Sequence, residues 1–545
     1  MATSNILRGT MLLTGATFLS KFLGMIYVIP FNELVGAEGG DLYQYAYVPY
    51  NILLSVSTVG VPLAVSRFVS KYNSLEDYET GRRMFKAGMS LMMITGFIGF
   101  LILFFGASVL ARLSIPEGAE GTSVEDVTFV IRMVSFALII IPSMSIVRGF
   151  FQGYQSMGPT AISQVIEQIV RIIFLLVSAY LVMNVFGGQV RTAVGFSTFA
   201  AFVGAAASCL VLLVYWRRRK KHLDKLLRQQ KQSYNLPIEK LFRELFRYAG
   251  PFILVGLATS LYQLVDQMTF KRIMVAIGEG ENAVAAMANI NFYGHKLVII
   301  PVTLATGMSL AILPAITNSF TAGKKVQMFG QMNQALQIIV LLILPAAVGM
   351  SVLSYQVYAA FYGLENIALN GMILRWYAPV ALCFAFFTVS ASILQGINKQ
   401  NFTVISLSAG VLMKIIFNFL LIYLFGARGA VLATMVAVTT VCLLNLWKIK
   451  KSVQFSYRQL IKRSMLIAIF TTIMGITVWV TKWLLELFLS TQDDRLANII
   501  VLIICVAVGM LVYLWLGYQS TLLERVLGNR VRKLDKILDK LFRRK

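Results

Sequence analysis

The fold is decided by the stretch Gln152–Leu181, which reads QGYQSMGPTAISQVIEQIVRIIFLLVSAYL. A related stretch, Gln395–Leu424, follows 243 residues later and reads QGINKQNFTVISLSAGVLMKIIFNFLLIYL. The two align without a gap, and the match extends back to Arg132 and Arg375. Apolar helices share Leu and Ile by chance, but they share Gln-Gly, Ser, Tyr and a basic residue in register far less easily. The chain therefore contains an internal repeat.

Apolar segments long enough to cross a membrane, about 20 residues each, lie on both sides of this repeat. The repeated pair corresponds to the fourth and fifth segments and to the tenth and eleventh. An offset of six spans preserves orientation, which predicts a parallel repeat of two six-helix lobes about an axis along the membrane normal. The fourteen predicted spans are 10–31, 43–69, 86–111, 127–150, 158–184, 192–216, 248–275, 283–315, 331–355, 372–396, 402–425, 429–447, 464–489 and 497–517.

The composition agrees with a membrane protein. Of the 545 residues, 58% are hydrophobic and 13% charged, against roughly 45–50% and 25% in soluble domains. Strands are not expected, because the apolar runs are too long and do not alternate. The sequence thus predicts an all-α polytopic membrane protein with a retained first span. Neither a disulfide framework nor a zinc site is indicated, since no CxxC motif or nearby His accompanies the cysteines Cys209, Cys383, Cys442 and Cys505.

The net charge of +25 is explained by the loops rather than by nucleic acid. Twelve acids and one base fall in 32–42, 113–126, 276–282, 361–370 and 490–496, which we assign to the outside. Thirty-three bases fall in 70–86, 217–247, 322–326, 397–401, 448–463 and 518–545. Because basic loops stay in the cytoplasm, both termini are predicted to be cytoplasmic.

These observations give a domain plan. The N-lobe (spans 1–6) occupies 1–216 and the C-lobe (spans 7–12) 248–447, with a basic, partly amphipathic cytoplasmic linker at 217–247. Two further spans fill 448–517. The tail 518–545 carries leucines at helical spacing with bases between them, typical of an amphipathic helix on an anionic phospholipid surface.

Charges at membrane depth are the candidates for function, because each costs roughly 2.5–3.5 kcal/mol to insert. They are the bases Lys21, Arg148, Arg171, Lys296 and Lys414 and the acids Glu167 and Asp266. The bases exceed the acids by three, which favours an anionic ligand such as a phosphate. No Walker loop, nucleophile set or metal-ligand cluster accompanies them, so the sequence indicates a transporter without a cofactor rather than an enzyme.

Several pairings remain open from the sequence. Lys21 and Lys296 have no acid within one helical turn, so each either binds the ligand or bridges to Asp266 or Glu167. Asp266 either neutralises a lysine or binds a coupling cation. Two pairs are predicted within single helices, each four residues apart, namely Glu167 with Arg171 and Glu486 with Lys482.

The chain resembles the lipid II flippases of the multidrug/oligosaccharidyl-lipid/polysaccharide exporter superfamily, in their Gram-positive branch. The likeness covers nearly the whole chain. It rests on the motifs Leu7-Arg8-Gly9-Thr10, Pro62-Leu63-Ala64-Val65-Ser66-Arg67, Val147-Arg148-Gly149-Phe150-Phe151-Gln152-Gly153, Met157-Gly158-Pro159-Thr160-Ala161, Glu167-Gln168-Ile169-Val170-Arg171 and Leu394-Gln395-Gly396-Ile397-Asn398-Lys399-Gln400.

The resemblance implies a fourteen-helix, two-lobe protein that moves undecaprenyl-pyrophosphate-linked peptidoglycan precursor (lipid II) from the inner to the outer leaflet by alternating access in a basic central cavity. It implies ligand contact for the lysines of Ser20-Lys21-Phe22-Leu23-Gly24 and His295-Lys296-Leu297. The chain departs from the Gram-negative members in two places: Tyr27 replaces a second arginine of the first span, and the arginine of the second span has no basic counterpart near Leu54. The expected substrate-binding residues are Lys21, Lys296, Arg148 and Asp41, and the expected cavity charge network is Asp266, Glu167, Arg171 and Lys414.

Two other functions stay open at this stage: a flippase for another polyprenyl-linked glycan, of teichoic acid, capsule or spore cortex, and a drug/cation antiporter of the same superfamily. The expected partners are the lipid-linked oligosaccharide, anionic phospholipid at the tail, and cell-wall synthesis proteins, with no nucleic acid. The coupling ion is undetermined. The expected location is the plasma membrane.

Overall fold

The computed structural model describes residues 2–58, 61–116, 122–230, 237–491 and 494–527. All regular structure in these ranges is helical, as the sequence predicts. The helices of the first part are α1 (Ala2–Ile26), α2 (Val28–Thr58), α3 (Val61–Ser74), α4 (Tyr78–Ser114), α5 (Val124–Ser135), α6 (Ala137–Gly153), α7 (Met157–Tyr180), α8 (Val190–Arg228) and α9 (Ile238–Ala276). A π-helical turn, Leu181–Val185, extends α7, and a 3-10 turn, Gly280–Asn282, follows α9.

The remaining helices follow after this turn. They are α10 (Ala283–Ala288), a π-helical turn (Asn289–Tyr293), α11 (Gly294–Thr321), α12 (Lys325–Val352), α13 (Ser354–Tyr362), α14 (Ile367–Tyr377), α15 (Val380–Gly396), α16 (Asn401–Phe425), α17 (Ala427–Val453), α18 (Arg458–Glu486), α19 (Arg495–Gln519) and α20 (Leu522–Leu527).

Each of the fourteen predicted spans coincides with one or more of these helices. In the described residues, eleven helices are long and apolar enough to cross a membrane, and the bent pair α1–α2 brings the number to twelve. The protein is therefore a multi-pass α-helical membrane protein, and a count of fourteen is compatible with it.

The internal repeat is visible in the helix boundaries. Helices α5 and α14 begin 243 residues apart, and helices α6 and α15 end 243 residues apart. The turn that follows has a left-handed residue at the same place in both copies, Gln155 (φ 55°) and Asn398 (φ 57°). Ser163 and Ser406 each donate to the threonine carbonyl three residues earlier, at 3.1 Å in both copies. The predicted repeat is confirmed at the level of single hydrogen bonds.

The stretch 32–42, expected as an outer loop, is helical instead. Helix α2 runs from Val28 to Thr58 and bends within this stretch at Gly36, whose φ of 61° and ψ of −160° only glycine adopts readily. A second bend, of 40°, separates α1 from α2 at Tyr27. The first two spans are thus connected by bends in nearly continuous helix.

Contacts divide the chain into two compact units, 1–284 and 285–545. Helix α9, which the repeat assigns to the C-lobe, packs against α2 in the first unit, so the lobe boundaries stay a prediction. Residues 231–236 of the predicted linker and 528–545 of the predicted amphipathic tail lie outside the described residues. The four cysteines are free thiols.

Candidate functional site

A charged cluster joins α6, α7 and α8 in the first unit. Nη2 of Arg148 donates to Glu167 Oε2 at 2.7 Å and to Ser208 Oγ at 2.8 Å. Nε of Arg148 donates to Ser163 Oγ at 2.9 Å. The side chains of Arg148 and Glu167 are only 15% and 20% exposed. Arg148 is thus held by three neighbouring side chains, and the pairing of Glu167 with Arg171 expected from their spacing was wrong.

Arg171, one turn further along α7, faces tyrosines of α2. Its Nη2 donates to the hydroxyls of Tyr47 at 2.5 Å and Tyr43 at 3.2 Å, and its guanidinium carbon lies 5.1 Å from the Tyr47 ring centroid. The rings of Tyr43 and Tyr47 stack with centroids 4.3 Å apart. The Tyr27 hydroxyl lies 3.1 Å from that of Tyr43. Hydroxyls and a ring face therefore accommodate this cation, as cation–π geometry allows.

Asp41 lies in a buried ion pair between α2 and α9. Its Oδ2 accepts from Lys271 Nζ at 2.6 Å and from the Thr122 hydroxyl at 2.8 Å, and the side chains of Lys271 and Asp41 are 2% and 0% exposed. The Lys271 ammonium also lies 5.2 Å from the Tyr45 ring centroid. Such a pair is stable only when its remaining hydrogen-bonding groups are satisfied, and Thr122 contributes to this.

Two glutamines extend this contact between α2 and α9. The Gln267 amide donates to both the main-chain and the side-chain oxygen of Gln44 at 2.8 Å. The Gln44 amide lies 3.4 Å from Asp41 Oδ1. A polar strip therefore joins the two helices inside the first unit.

Lys21 is positioned by the contact of α1 with α7. Thr17 donates to Gln164 Oε1 at 3.4 Å, and Ser20 donates to the Gln164 carbonyl at 3.5 Å. The polar face of α1 is thereby turned toward α7. The side chain of Lys21 itself is exposed.

In the second unit, Lys296 is half-buried and follows directly after His295. The His295 ring Nδ1 lies 2.7 Å from the Tyr377 hydroxyl. The π-helical turn Asn289–Tyr293 precedes this pair, and the Tyr362 hydroxyl donates to the Tyr293 carbonyl at 3.1 Å. Such turns shift the register of a helix and occur frequently at functional sites.

The last two predicted network residues are buried. The Lys414 ammonium is 0% exposed and donates to the Ala430 carbonyl at 2.9 Å and to Thr434 Oγ1 at 2.8 Å. Asp266 is 2% exposed in α9. The predicted pair of Glu486 with Lys482 is present, with 3.9 Å between Oε1 and Nζ.

Comparison with known proteins identifies the family. The profile of the family described as polysaccharide biosynthesis protein matches residues 6–320, and that described as MatE matches residues 251–420. Lipid II flippase MurJ of Bacillus subtilis (strain 168) is 48% identical over 531 residues, which cover 97% of this chain and 98% of that protein. The chain belongs to the lipid II flippase family.

Other relatives of this flippase family member are more distant. Stage V sporulation protein B of the same organism is 23% identical over 84% of this chain and 86% of its own length. The solved structure of a lipid II flippase MurJ in an inward closed conformation matches with a TM-score of 0.66 at 17% identity, covering 95% and 99% of the two chains. The solved structure of an inward-facing MATE-family transporter of the MOP superfamily matches with a TM-score of 0.59 at 16% identity, covering 80% of this chain and 99% of that one. At these identities the structures show the shared transporter fold.

Sequence reasoning missed Lys271, Tyr47 and Tyr377 in this flippase family member. A usable signal existed for the first of these, because Gln267 and Lys271 lie four residues apart on one face of a long apolar helix. The tyrosines gave a weaker signal, since an aromatic side chain in a membrane helix is ordinarily explained by packing or by the interface.

Proposed function

We propose that this protein is a flippase that moves lipid II from the inner to the outer leaflet of the plasma membrane. The observation that carries the proposal is the 48% identity to a lipid II flippase across 97% of the chain. Transport, rather than catalysis, also agrees with the MATE-family fold.

The charges of the membrane helices support an anionic substrate. Lys21 is exposed on an apolar helix, where an ammonium group is costly unless it meets water or an anion. Lys296 is half-buried beside His295. We assign pyrophosphate contact to these two lysines and to Arg148, whose guanidinium is preorganised by its serines.

We assign the other charged groups to a supporting network. Arg171 and Lys414 contribute positive charge, Glu167 orients Arg148, and Asp266 either balances a lysine or binds a coupling ion. Asp41 acts on the substrate indirectly, by holding α2 against α9 through Lys271. Alternating access of two lobes, driven by an ion gradient or the membrane potential, completes the mechanism.

Depletion in a cell that depends on this chain tests the substrate. Lipid II should accumulate on the inner leaflet when the protein is removed, and its outward appearance should resume on re-expression. The alternative substrate is another polyprenyl-linked glycan. If lipid II reaches the outer leaflet normally while another polyprenyl-linked glycan is retained inside, the flippase assignment stands for that glycan and fails for lipid II.

We further propose that both termini are cytoplasmic, that the basic tail lies on anionic phospholipid, and that cell-wall synthesis proteins are neighbours of the flippase. Cysteine labelling in intact cells tests the topology, using a variant in which the native cysteines are replaced. Gln229→Cys, on the exposed end of α8, should resist an impermeant thiol reagent until the cells are opened. Glu365→Cys, exposed between α13 and α14, should react at once. The reverse pattern would invert the orientation.

A further inference from the structure

A cavity of about 270 Å³ lies at one end of the second unit. It is formed where α11 ends, α12 begins and α17 ends. None of the eight charged residues expected to bind substrate or to form the cavity charge network lines it. The cavity is therefore a site separate from the proposed flipping residues.

The lining is basic and polar. Lys325 and Lys451 contribute ammonium groups from helices α12 and α17, which are distant in sequence. Ser452 and Gln454 add a hydroxyl and an amide, and the Ser319 hydroxyl is held by Gln331 Oε1 at 3.1 Å. No carboxylate is among the described residues that line it. Two ammonium groups with neutral donors are suited to a phosphate.

The sequence around the cavity contains few acids. Between Glu281 and Glu486 the chain contains a single acid, Glu365. The Lys451 ammonium lies 5.1 Å from the ring centroid of Trp447, which is 52% exposed. Tryptophan with adjacent lysine is typical of the membrane–water interface, which places the cavity at the depth of lipid headgroups.

The remaining wall is apolar, formed by Phe320, Met328 and Val453. A site with ammonium groups on one side and apolar side chains on the other matches a headgroup joined to acyl chains. Its volume lies just below the roughly 300–1,000 Å³ of sites that enclose drug-sized ligands, which suits a phosphoglycerol group. We propose that this cavity binds the phosphate headgroup of an anionic phospholipid of the surrounding leaflet.

Native mass spectrometry of the full-length protein in neutral detergent tests this site independently of flipping. The probes are dihexanoyl phosphatidylglycerol, dihexanoyl phosphatidylcholine and glycerol 3-phosphate. The pair Lys325→Gln with Lys451→Gln should weaken phosphatidylglycerol binding about tenfold or more, because both charged hydrogen bonds to the phosphate are lost. Lys325→Arg with Lys451→Arg should retain most binding and shows that the fold is intact.

The matched control is Lys324→Gln with Lys450→Gln, which removes the same charge from positions next to the cavity lysines but outside its lining. Binding within about threefold of the native protein is expected for this control. Equal losses in the two pairs would reduce the effect to general surface charge and overturn the site. Equal binding of phosphatidylcholine would also overturn it. Glycerol 3-phosphate binding as tightly as the lipid would replace the lipid with a soluble phosphate ester.

Discussion

The ion pair of Arg148 and Glu167 is held by two serines from neighbouring helices. In a double-mutant cycle, Arg148→Gln and Glu167→Gln should show a coupling free energy of about 1.5–3 kcal/mol, because the pair is hydrogen-bonded and largely buried. Unfolding in mixed micelles measures it. The control pair is Lys482 with Glu486, which is longer and more exposed and should couple by less than about 0.5 kcal/mol. Equal coupling in both pairs would contradict the role of burial and the serines.

Asp41 and Lys271 form the more deeply buried pair, so removing one partner should cost more than removing both. Lys271→Met should lower the free energy of unfolding by about 3–5 kcal/mol, because it leaves the Asp41 carboxylate buried without its cation. Adding Asp41→Asn should restore most of that loss, since both charges are then gone.

The same variants decide whether Asp41 contacts substrate. If Asp41→Asn abolished lipid II flipping while leaving the unfolding free energy unchanged, the residue would act on the ligand directly. A loss of stability that the double variant recovers assigns it to the packing of α2 against α9. Flipping and unfolding must therefore be measured on the same preparations.

Helix α2 depends on the backbone conformation at Gly36. A Cβ added there would meet no atom within 4 Å, so Gly36→Ala tests backbone strain alone. We expect it to destabilise the protein by about 1–3 kcal/mol, because φ 61° with ψ −160° is essentially restricted to glycine. Gly15→Ala in α1 is the matched control, since it is equally unobstructed but helical, and it should gain up to about 1 kcal/mol. Similar values for both in a thermal-unfolding series would contradict a strained bend.

The membrane-spanning helices were predictable from the sequence, because the length of an apolar segment is read from that segment alone. The repeat was predictable because its two copies align residue by residue. The match of Gln152–Leu181 to Gln395–Leu424 also predicted equivalent helices in two places, and the structure adds equivalent left-handed residues at Gln155 and Asn398. The outer loop at 32–42 was mispredicted because glycine and acidic residues there are typical of a loop. The chain instead uses Gly36 to bend a helix.

Partners of the charges were much less predictable. Spacing placed Glu167 beside Arg171, but α6 brings Arg148 to Glu167 and α2 brings tyrosines to Arg171. Which helices meet is a tertiary property, and a charge in a membrane interior takes whichever partner packing supplies. Identifying charged residues at membrane depth was therefore feasible, whereas pairing them required the structure.

At the scale of the molecule, the repeat conserves backbone geometry more than charge. Glu167 of the first copy corresponds to Gly410 of the second, and Arg171 corresponds to Lys414. Arg148, the partner of Glu167, corresponds to Ala391, so the second copy lacks the whole ion pair and keeps only the remaining cation. The net charge at these positions is therefore the same in both copies, and each copy contributes one basic residue to the field that an anionic substrate would meet.

The flippase proposal makes Lys21 and Lys296 act on one pyrophosphate. Each Lys→Gln variant should reduce flipping at least about tenfold, because a charged hydrogen bond of about 1.5–3 kcal/mol is lost. Arg should substitute better than Gln, since charge matters more here than shape. The double variant should lose little more than either single one, because both residues serve the same ligand.

A complementation assay with membrane levels checked by blot measures these effects, and Lys482→Gln, a base already paired with Glu486, is the control that should flip normally. A purely structural role of Lys296 predicts a different result. If Lys296 only neutralised Asp266, Lys296→Ala would be rescued by Asp266→Asn, because removing both members of a buried pair relieves the unpaired charge. Full activity of Lys21→Gln and Lys296→Gln would rule out pyrophosphate contact, since an anion drawn from water must find its counter-charge on the protein.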